Sequence, residues 1–321
     1  MLTTIMRLVT RVIGVFVLLP ILLCAVMPLA WSVRAARGVI VLKRLPAHIL
    51  NRHPSCPVSD VLTGIALRRI RRDDAIEAVS KVLAADARFT QASTPQGVFW
   101  VPNGELGALY EMVGEEERAI YDYGDIRVRP GDIVLDCGAN VGVTVRRALK
   151  LGAAKVVAIE LASAPLECLR RNFASEIQQG KVIVYPKGVW DRDAELELTG
   201  ISGIASTASS VAFQHEENLE KVQLTTIDHL VAELHLPRVD FIKMDIEGAE
   251  GAALQGAQQT VATLHPRLAI SLEHRPTDPV TLPAQVRRQW PEYAVACGPC
   301  EWVGDRVQPL VMFAQPAFAS R

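Results

Sequence analysis

Two clusters in this 321-residue chain combine residue types and spacings that can do chemistry. The first is Asp136-Cys137-Gly138-Ala139-Asn140-Val141-Gly142, directly after the apolar run Ile133–Leu135. Gly138 can take backbone angles closed to other residues, and Gly142 lets a following helix approach closely. The free N–H groups at such a helix start suit a polar or anionic ligand. Glu160 closes the next apolar run, 24 residues after Asp136. An acid there can accept hydrogen bonds from both hydroxyls of a ribose. No Gly-Lys-Ser/Thr follows the glycines, so the turn is not a P-loop, and the G-x-G-x-x-G dinucleotide spacing is absent.

The second cluster is Val239-Asp240-Phe241-Ile242-Lys243-Met244-Asp245-Ile246-Glu247-Gly248-Ala249-Glu250. Read as a strand, it puts Phe241, Lys243 and Asp245 on one face. A lysine in a central strand is costly to bury unpaired, so it needs a carboxylate; Asp245 and Glu273 are the candidates. Asp245 falls at the carboxyl end of its strand, the edge where open α/β sheets bind ligands. Glu247 and Glu250 flank the start of the next helix, where negative charge is also favoured electrostatically. Ser271-Leu272-Glu273-His274 ends a later strand on the same edge.

The elements that must position these residues follow from the hydrophobic pattern. Apolar strands are expected at Ile133–Cys137, Val156–Leu161, Lys181–Val189, Phe241–Ile246 and Leu268–Glu273. Helices are expected between them, over Gly142–Leu151, Ala164–Gln178, Thr226–Leu234 and Ala249–Leu264. Glu195–Leu198 and Val222–Thr225 read as a strand pair flanking a Ser/Ala-rich loop. Tyr293–Cys297, Glu301–Val303 and Val307–Phe313 read as short terminal strands. This alternation implies an α/β fold with a mostly parallel sheet covered on both faces and an antiparallel edge. Upstream, Asp60–Ala87 and Gly107–Asp122 have helical spacing, with a short strand at Val98–Val101.

The turn Asp136–Gly142, Glu160, Thr225-Thr226-Ile227-Asp228 and Phe241–Glu250 together resemble the FkbM family of methyltransferases, over roughly residues 96–315. The resemblance implies a Rossmann-like class I fold, S-adenosyl-L-methionine as cofactor, and methyl transfer, usually to oxygen. The implied acceptor is a small-molecule, glycan or lipid hydroxyl, with no nucleic acid as partner. Carried over, Asp136, Gly138, Asn140 and Gly142 line the methionine end of the cofactor and Glu160 its ribose. Lys243, Asp245 and Glu247 fall at the cofactor–acceptor cleft. An oxygen nucleophile must lose a proton, which a histidine or carboxylate in reach can take. His274 is the first candidate base and Asp245 the second. No metal ligand set is assigned, because the carboxylates can serve either a base or an ion. A noncatalytic cofactor-binding module on the same fold is the alternative.

Other signals are read as structural. Thr225 and Asp228 have capping-box spacing before a helix. Cys297-Gly298-Pro299-Cys300 has thioredoxin-like spacing but no helix pattern after it. A zinc site there would need two more ligands, for which His53-x-x-Cys56 has the right types. Trp190 either borders an adenine or packs, and Ser202–Ser210 is a small-residue loop that could form a lid.

The net charge of −1 hides an uneven chain. Residues 1–72 hold 11 Lys/Arg and one acid, Asp60, whereas the remaining 23 basic and 34 acidic residues follow. An acidic body argues against broad nucleic-acid binding, which needs clustered basic residues. Val12–Val33 contains no charged residue. At ~1.5 Å per residue it reaches about 33 Å, enough to cross a bilayer. The expected organisation is an anchor at 1–36 with its span at 12–33, a basic juxtamembrane helical region at 37–95, and a methyltransferase domain at 96–321. Arg34, Arg37, Lys43 and Arg44 place the large domain in the cytoplasm of a single-pass membrane protein. Six cysteines in this length point to a reducing compartment.

Overall fold

The computed structural model describes residues 52–58, 72–199, 219–303 and 306–317. Its first elements are α1 (Arg72–Val79) and an antiparallel meander of β1 (Lys81–Ala85), β2 (Phe89–Thr94) and β3 (Gly97–Pro102). The helix expected over 60–87 is therefore cut short. Residues 81–85 pair with β2, from Lys81↔Ser93 to Ala85↔Thr90, so backbone pairing overrides a mixed helical spacing. The meander runs through residue 95, the expected domain boundary. Next, α2 (Leu106–Glu117) buries Leu109, Tyr110 and Val113 against the core.

The alternation then begins with β4 (Ile133–Cys137), α3 (Val143–Lys150), β5 (Lys155–Ile159), α4 (Ser163–Asn172), α5 (Ala174–Gln178) and β6 (Val182–Tyr185). The helix expected over 164–178 breaks at Phe173, whose fully buried ring packs under the turn at Gly142. The strand expected over 181–189 is divided between two sheets. Its end, β7 (Gly188–Val189), joins β8 (Ala194–Thr199) and β9 (Leu219–Thr225) in the order β7-β9-β8. The loop 202–210 lies outside the described residues.

The second half comprises α6 (Ile227–Glu233), β10 (Phe241–Met244), α7 (Glu250–Gln255), α8 (Gln258–Leu264), β11 (Arg267–Ser271), α9 (Asp278–Gln289), β12 (Tyr293–Val303) and β13 (Arg306–Pro316). The helix expected over 249–264 breaks at Gly256, where a Cβ would come within 2.0 Å of the Trp190 carbonyl oxygen. The terminal strands are two long partners, not three short ones. Sequence periodicity did not mark α9, which contains Pro279 near its start and Pro283 inside.

The main sheet has the order β12-β13-β11-β10-β4-β5-β6. Strands β6, β5, β4, β10 and β11 are mutually parallel, and β13 enters antiparallel to β11. From β4 the chain winds outward through β5 and β6, then crosses back to β10. The crevice outside the carboxyl ends of β4 and β10 is thus the topological switch point, where such sheets bind ligands. Apolar clusters fill both faces of the sheet, so its strands are buried throughout.

The expected localisation needs correction. The run 12–33 on which the span was placed lies outside the described residues, and among the described residues no helix is long and apolar enough to cross a membrane. A single-pass protein with a cytoplasmic catalytic domain is therefore without support. The reducing-compartment reading fails on a bond: Cys56 and Cys300 form a disulfide, and disulfides persist mainly in oxidising surroundings. Cys297, the other cysteine of the C-x-x-C, is a free thiol.

Candidate active site

A cavity of about 430 Å³ opens at the switch point. Its size falls within the usual range for small-molecule sites. One half is built on the turn after β4. Gly138 has φ +78°, and a Cβ there would lie 1.9 Å from the Asp245 carbonyl oxygen. The first sequence cluster therefore touches the second through a position that only glycine can fill. Gly142 has φ +93°, and its Cβ would meet the Phe173 ring at 2.2 Å. Gly138, Asn140 and Glu160 line the cavity. Gly142 instead serves packing.

Glu160 is buried and holds the turn together. Its Oε2 accepts from the Asn140 N–H at 3.0 Å, and its Oε1 accepts from the N–H groups of Leu161 and Ala162 at 2.8 and 2.9 Å. Burial raises its pKa, and these backbone donors oppose the rise. Oε2 retains one acceptor position, since each carboxylate oxygen has two lone pairs. Asn140 Oδ1 is buried and has no hydrogen-bond partner among the described residues.

Asp136 is fully buried and is not among the residues that line the cavity. The parallel register sets Lys243 opposite Asp136. Lys243 Nζ lies 3.4 Å from Asp136 Oδ1 and 3.6 Å from Asp245 Oδ2, and donates to the Gly138 carbonyl at 3.1 Å. Burial works against the ammonium, but Asp136, Asp245 and Glu116 outweigh it and raise its pKa. Of the two partners expected for Lys243, Asp245 is found; Asp136 takes the place of Glu273.

Asp245, Glu247 and His274 all line the cavity. His274 is set among carboxylates. Its Nδ1 lies 2.9 Å from Glu250 Oε1, and its Nε2 lies 3.4 Å from Asp245 Oδ1 and 3.5 Å from Glu247 Oε2. Burial alone would lower its pKa, yet Glu250, Asp245 and Glu247 push it up to about 10. At neutral pH the ring is an imidazolium with no lone pair to receive a proton, which argues against the base expected there. Asp245 is held ionised: burial opposes its charge, but Lys243, His274 and the Tyr121 hydroxyl bring its pKa down. Asp245, Glu250 and His274 also have ligand atoms within 4.8 Å of one another, a spacing that can hold a metal ion. Here the imidazolium serves as the counter-charge of the two carboxylates.

Several residues of the site escaped sequence reasoning. The Tyr121 hydroxyl donates to Asp245 Oδ2 at 2.9 Å. Glu115 and Glu116 also line the cavity, as does Glu273, which the sequence offered only as a partner for Lys243. Burial and the nearby Asp245 charge push Glu273 up to about 7. Burial pushes Glu116 up to about 7 as well, against the opposing effects of Thr144 and Arg147. The one signal available was on α2, where Ala108, Glu111, Met112 and Glu115 recur at i, i+3, i+4 and i+7 and all face the cavity. The capping expected of Thr225 belongs to Thr226, whose Oγ1 accepts from the His229 N–H. Asp228 caps the start of α8 instead, accepting from the N–H groups of Gln259 and Thr260.

Residues 136–293 match the family model described as Methyltransferase FkbM domain. The antimetabolite synthetase AmbE of Pseudomonas aeruginosa is 26% identical over 56% of this chain, which covers 10% of that protein. Among solved structures, Methyltransferase FkbM from Methylobacillus flagellatus is similar at a TM-score of 0.44 and 19% identity, over 78% of this chain and 60% of that one. The M1A22 tRNA methyltransferase of B. subtilis is similar at 0.38 and 10% identity, over 62% of this chain and 64% of its own. The chain thus spans less than two thirds of each of these three relatives. The fold is the Rossmann-like methyltransferase fold with a mostly parallel sheet, and residues 136–293 are an FkbM methyltransferase domain.

Proposed function

We propose that the protein is an S-adenosyl-L-methionine-dependent methyltransferase acting on a hydroxyl of a small molecule, glycan or lipid. One observation carries the reading: a single cavity joins Gly138, Asn140 and Glu160 to Asp245, Glu273 and His274. The match to an antimetabolite synthetase is in keeping with a secondary-metabolite acceptor. The residues present fit the cofactor. Asn140 Oδ1 is a buried acceptor in need of a donor, such as the methionine ammonium. Glu160 Oε2 has acceptor capacity left for a ribose hydroxyl, and Gly138 keeps the turn clear of side-chain bulk.

When bound, S-adenosyl-L-methionine supplies a methyl group on a cationic sulfur that departs as a neutral thioether. The chain's own residues do the rest. Lys243 and His274 keep Asp245 ionised, so that it can accept a hydrogen bond from the acceptor hydroxyl and orient it. Glu273, with its pKa near 7, takes the proton as the new C–O bond forms; a base poised near the working pH is the efficient choice. Glu247 and Glu250 hold His274 in place.

Calorimetric titration of the protein with S-adenosyl-L-methionine tests the first part, and absence of binding at millimolar cofactor would sink it. Transfer of a labelled methyl group to a cell extract tests the second. Label recovered only in products lacking an O-methyl group would remove the hydroxyl assignment.

A further inference from the structure

Resting on that reading, we infer that Asn172, the last residue of α4, is a positioning residue for the cofactor: it clamps the turn Gly138–Gly142 to the edge of the amino-terminal meander. The turn needs holding. Gly138, Asn140 and Gly142 have φ of +78°, +50° and +93°, so left-handed residues alternate along it. Asparagine tolerates that conformation better than most, yet it persists only where the surroundings fix it. Beneath Gly142 the Phe173 ring does this by contact. The residue before it, Asn172, does it by hydrogen bonding: its Nδ2 donates to the Val141 carbonyl at 2.9 Å. Val141 is fully buried, so this carbonyl would be costly to leave unpaired.

The other end of the clamp lies on β3, an edge strand of the meander. The Trp100 N–H donates to Asn172 Oδ1 at 2.6 Å, and Asn172 Nδ2 also donates to the Trp100 carbonyl at 3.1 Å. One side-chain amide thus pairs with Trp100 as a neighbouring strand would, and holds the turn as well. An ionised carboxylate could not do both, because it has no donor. Arg146, in the first turn of α3, closes the assembly. Its guanidinium donates to the Asn172 carbonyl at 2.7 Å and lies over the rings of Phe99 and Phe173. Asn172 and Trp100 do not line the cavity, whereas Asn140 and Val143, on either side of the clamped peptide, do. Asn172 therefore acts through the turn. It couples the cofactor half of the cavity to β3, which lies outside the matched residues 136–293.

The test is calorimetric titration of the full chain with S-adenosylhomocysteine. Asn172→Asp keeps the side-chain shape and the acceptor for the Trp100 N–H but removes the donor to Val141. It should weaken S-adenosylhomocysteine about tenfold, as one lost hydrogen bond implies. With cell extract as the acceptor source, the cofactor KM should rise likewise while the rate at saturating cofactor stays within about twofold. Asn103→Ala is the control. It removes side-chain hydrogen bonds to Thr90 and to the Asp86 carbonyl, loosening the same meander away from the turn, and should leave the affinity unchanged. Coupling is reciprocal, so in the unaltered chain S-adenosylhomocysteine should slow hydrogen exchange at the Trp100 amide more than at the amides pairing β1 with β2. Unchanged affinity in Asn172→Asp, an equal loss in Asn103→Ala, or a saturated rate that falls as far as KM rises would overturn the inference. No added protection at Trp100 would also overturn it, and decides alone if Asn172→Asp does not fold. Failure of S-adenosylhomocysteine to bind the unaltered chain would instead remove the methyltransferase reading.

Discussion

Lys243 and Asp136 face each other across adjacent parallel strands, with Nζ 3.4 Å from Oδ1 and both side chains buried. The pair couples the cofactor turn to the Asp245 cluster, because the same ammonium reaches Asp245 and the Gly138 carbonyl. Lys243→Met would leave Asp136 charged and fully buried with no partner. Breaking a buried pair from one side typically costs about 3–5 kcal/mol. A urea melt should show a loss of that order, with cofactor binding lost as well. Lys243→Met combined with Asp136→Asn should recover part of the stability. A single variant as stable as the parent would show that the pair carries no load.

The base assignment makes a kinetic prediction with a definite sign. Glu273 must be deprotonated to accept a proton, and its pKa lies near 7. The rate at saturating cofactor should therefore rise with pH, reach half-maximum near 7 and level off above. Glu273→Gln should abolish this limb and slow turnover by about 10²–10⁴-fold. A limb that persists in Glu273→Gln would move the role elsewhere.

Glu116 makes a separate prediction about stability. Its pKa rises from 4.5 to about 7 on folding, chiefly through burial. Between those values the folded state binds more protons than the unfolded state. The stabilisation is therefore complete below about 4.5 and is lost as pH rises through 7. Glu116→Gln should flatten this part of the stability profile by about 3 kcal/mol, at 1.36 kcal/mol per pKa unit. Parallel profiles for parent and variant in chemical melts from pH 4 to pH 8 would refute it.

The pattern of what was legible in the sequence is physical. Strands β4, β5, β10 and β11 are short, apolar and bounded by turn residues, so local composition reveals them. Gly138 and Glu160 were legible because a ligand-binding turn restricts residue type at fixed spacing. The role of His274 was not legible. Its protonation depends on three carboxylates, and their convergence on one ring is fixed only when α7 packs beside the end of β11. Tyr121 comes from outside the motif-bearing region and carries no spacing signal toward Asp245, and Glu115 shows only as part of the helical stripe on α2. Cys56 and Cys300 are separated by 244 residues, a pairing that local spacing does not encode.

That disulfide should contribute measurably to stability. Closing a long loop typically stabilises by about 2–4 kcal/mol, mainly by restricting the unfolded chain. Cys300→Ser should lower unfolding free energy by this amount, and reduction of the parent should do the same. Cys297→Ser should not reproduce the effect, because Cys297 is a half-buried free thiol. Peptide mapping without reductant should recover Cys56 joined to Cys300. A bond from Cys56 to Cys297, or recovery of all three as free thiols, would contradict the assignment.

Tyr121 offers the sharpest separation of positioning from packing. Its ring is buried and its hydroxyl donates to Asp245 Oδ2 at 2.9 Å, while Lys243 Nζ lies 5.3 Å from the ring centroid. Tyr121→Phe keeps the ring and removes only the donor. A hydrogen bond to a charged group contributes about 1.5–3 kcal/mol, which corresponds to a fall of about 10–100-fold if the interaction acts in the transition state. The expected result is a lower kcat with S-adenosylhomocysteine affinity unchanged, because the cofactor half of the cavity does not include this hydroxyl. Asp245 would also titrate at higher pH, so an acid limb from its protonation should lie at higher pH in the variant than in the parent, below the Glu273 limb near 7. A purely structural role predicts something else: reduced stability and an unmoved profile. Measuring kcat, cofactor affinity and the pH profile on one preparation of Tyr121→Phe decides between the two.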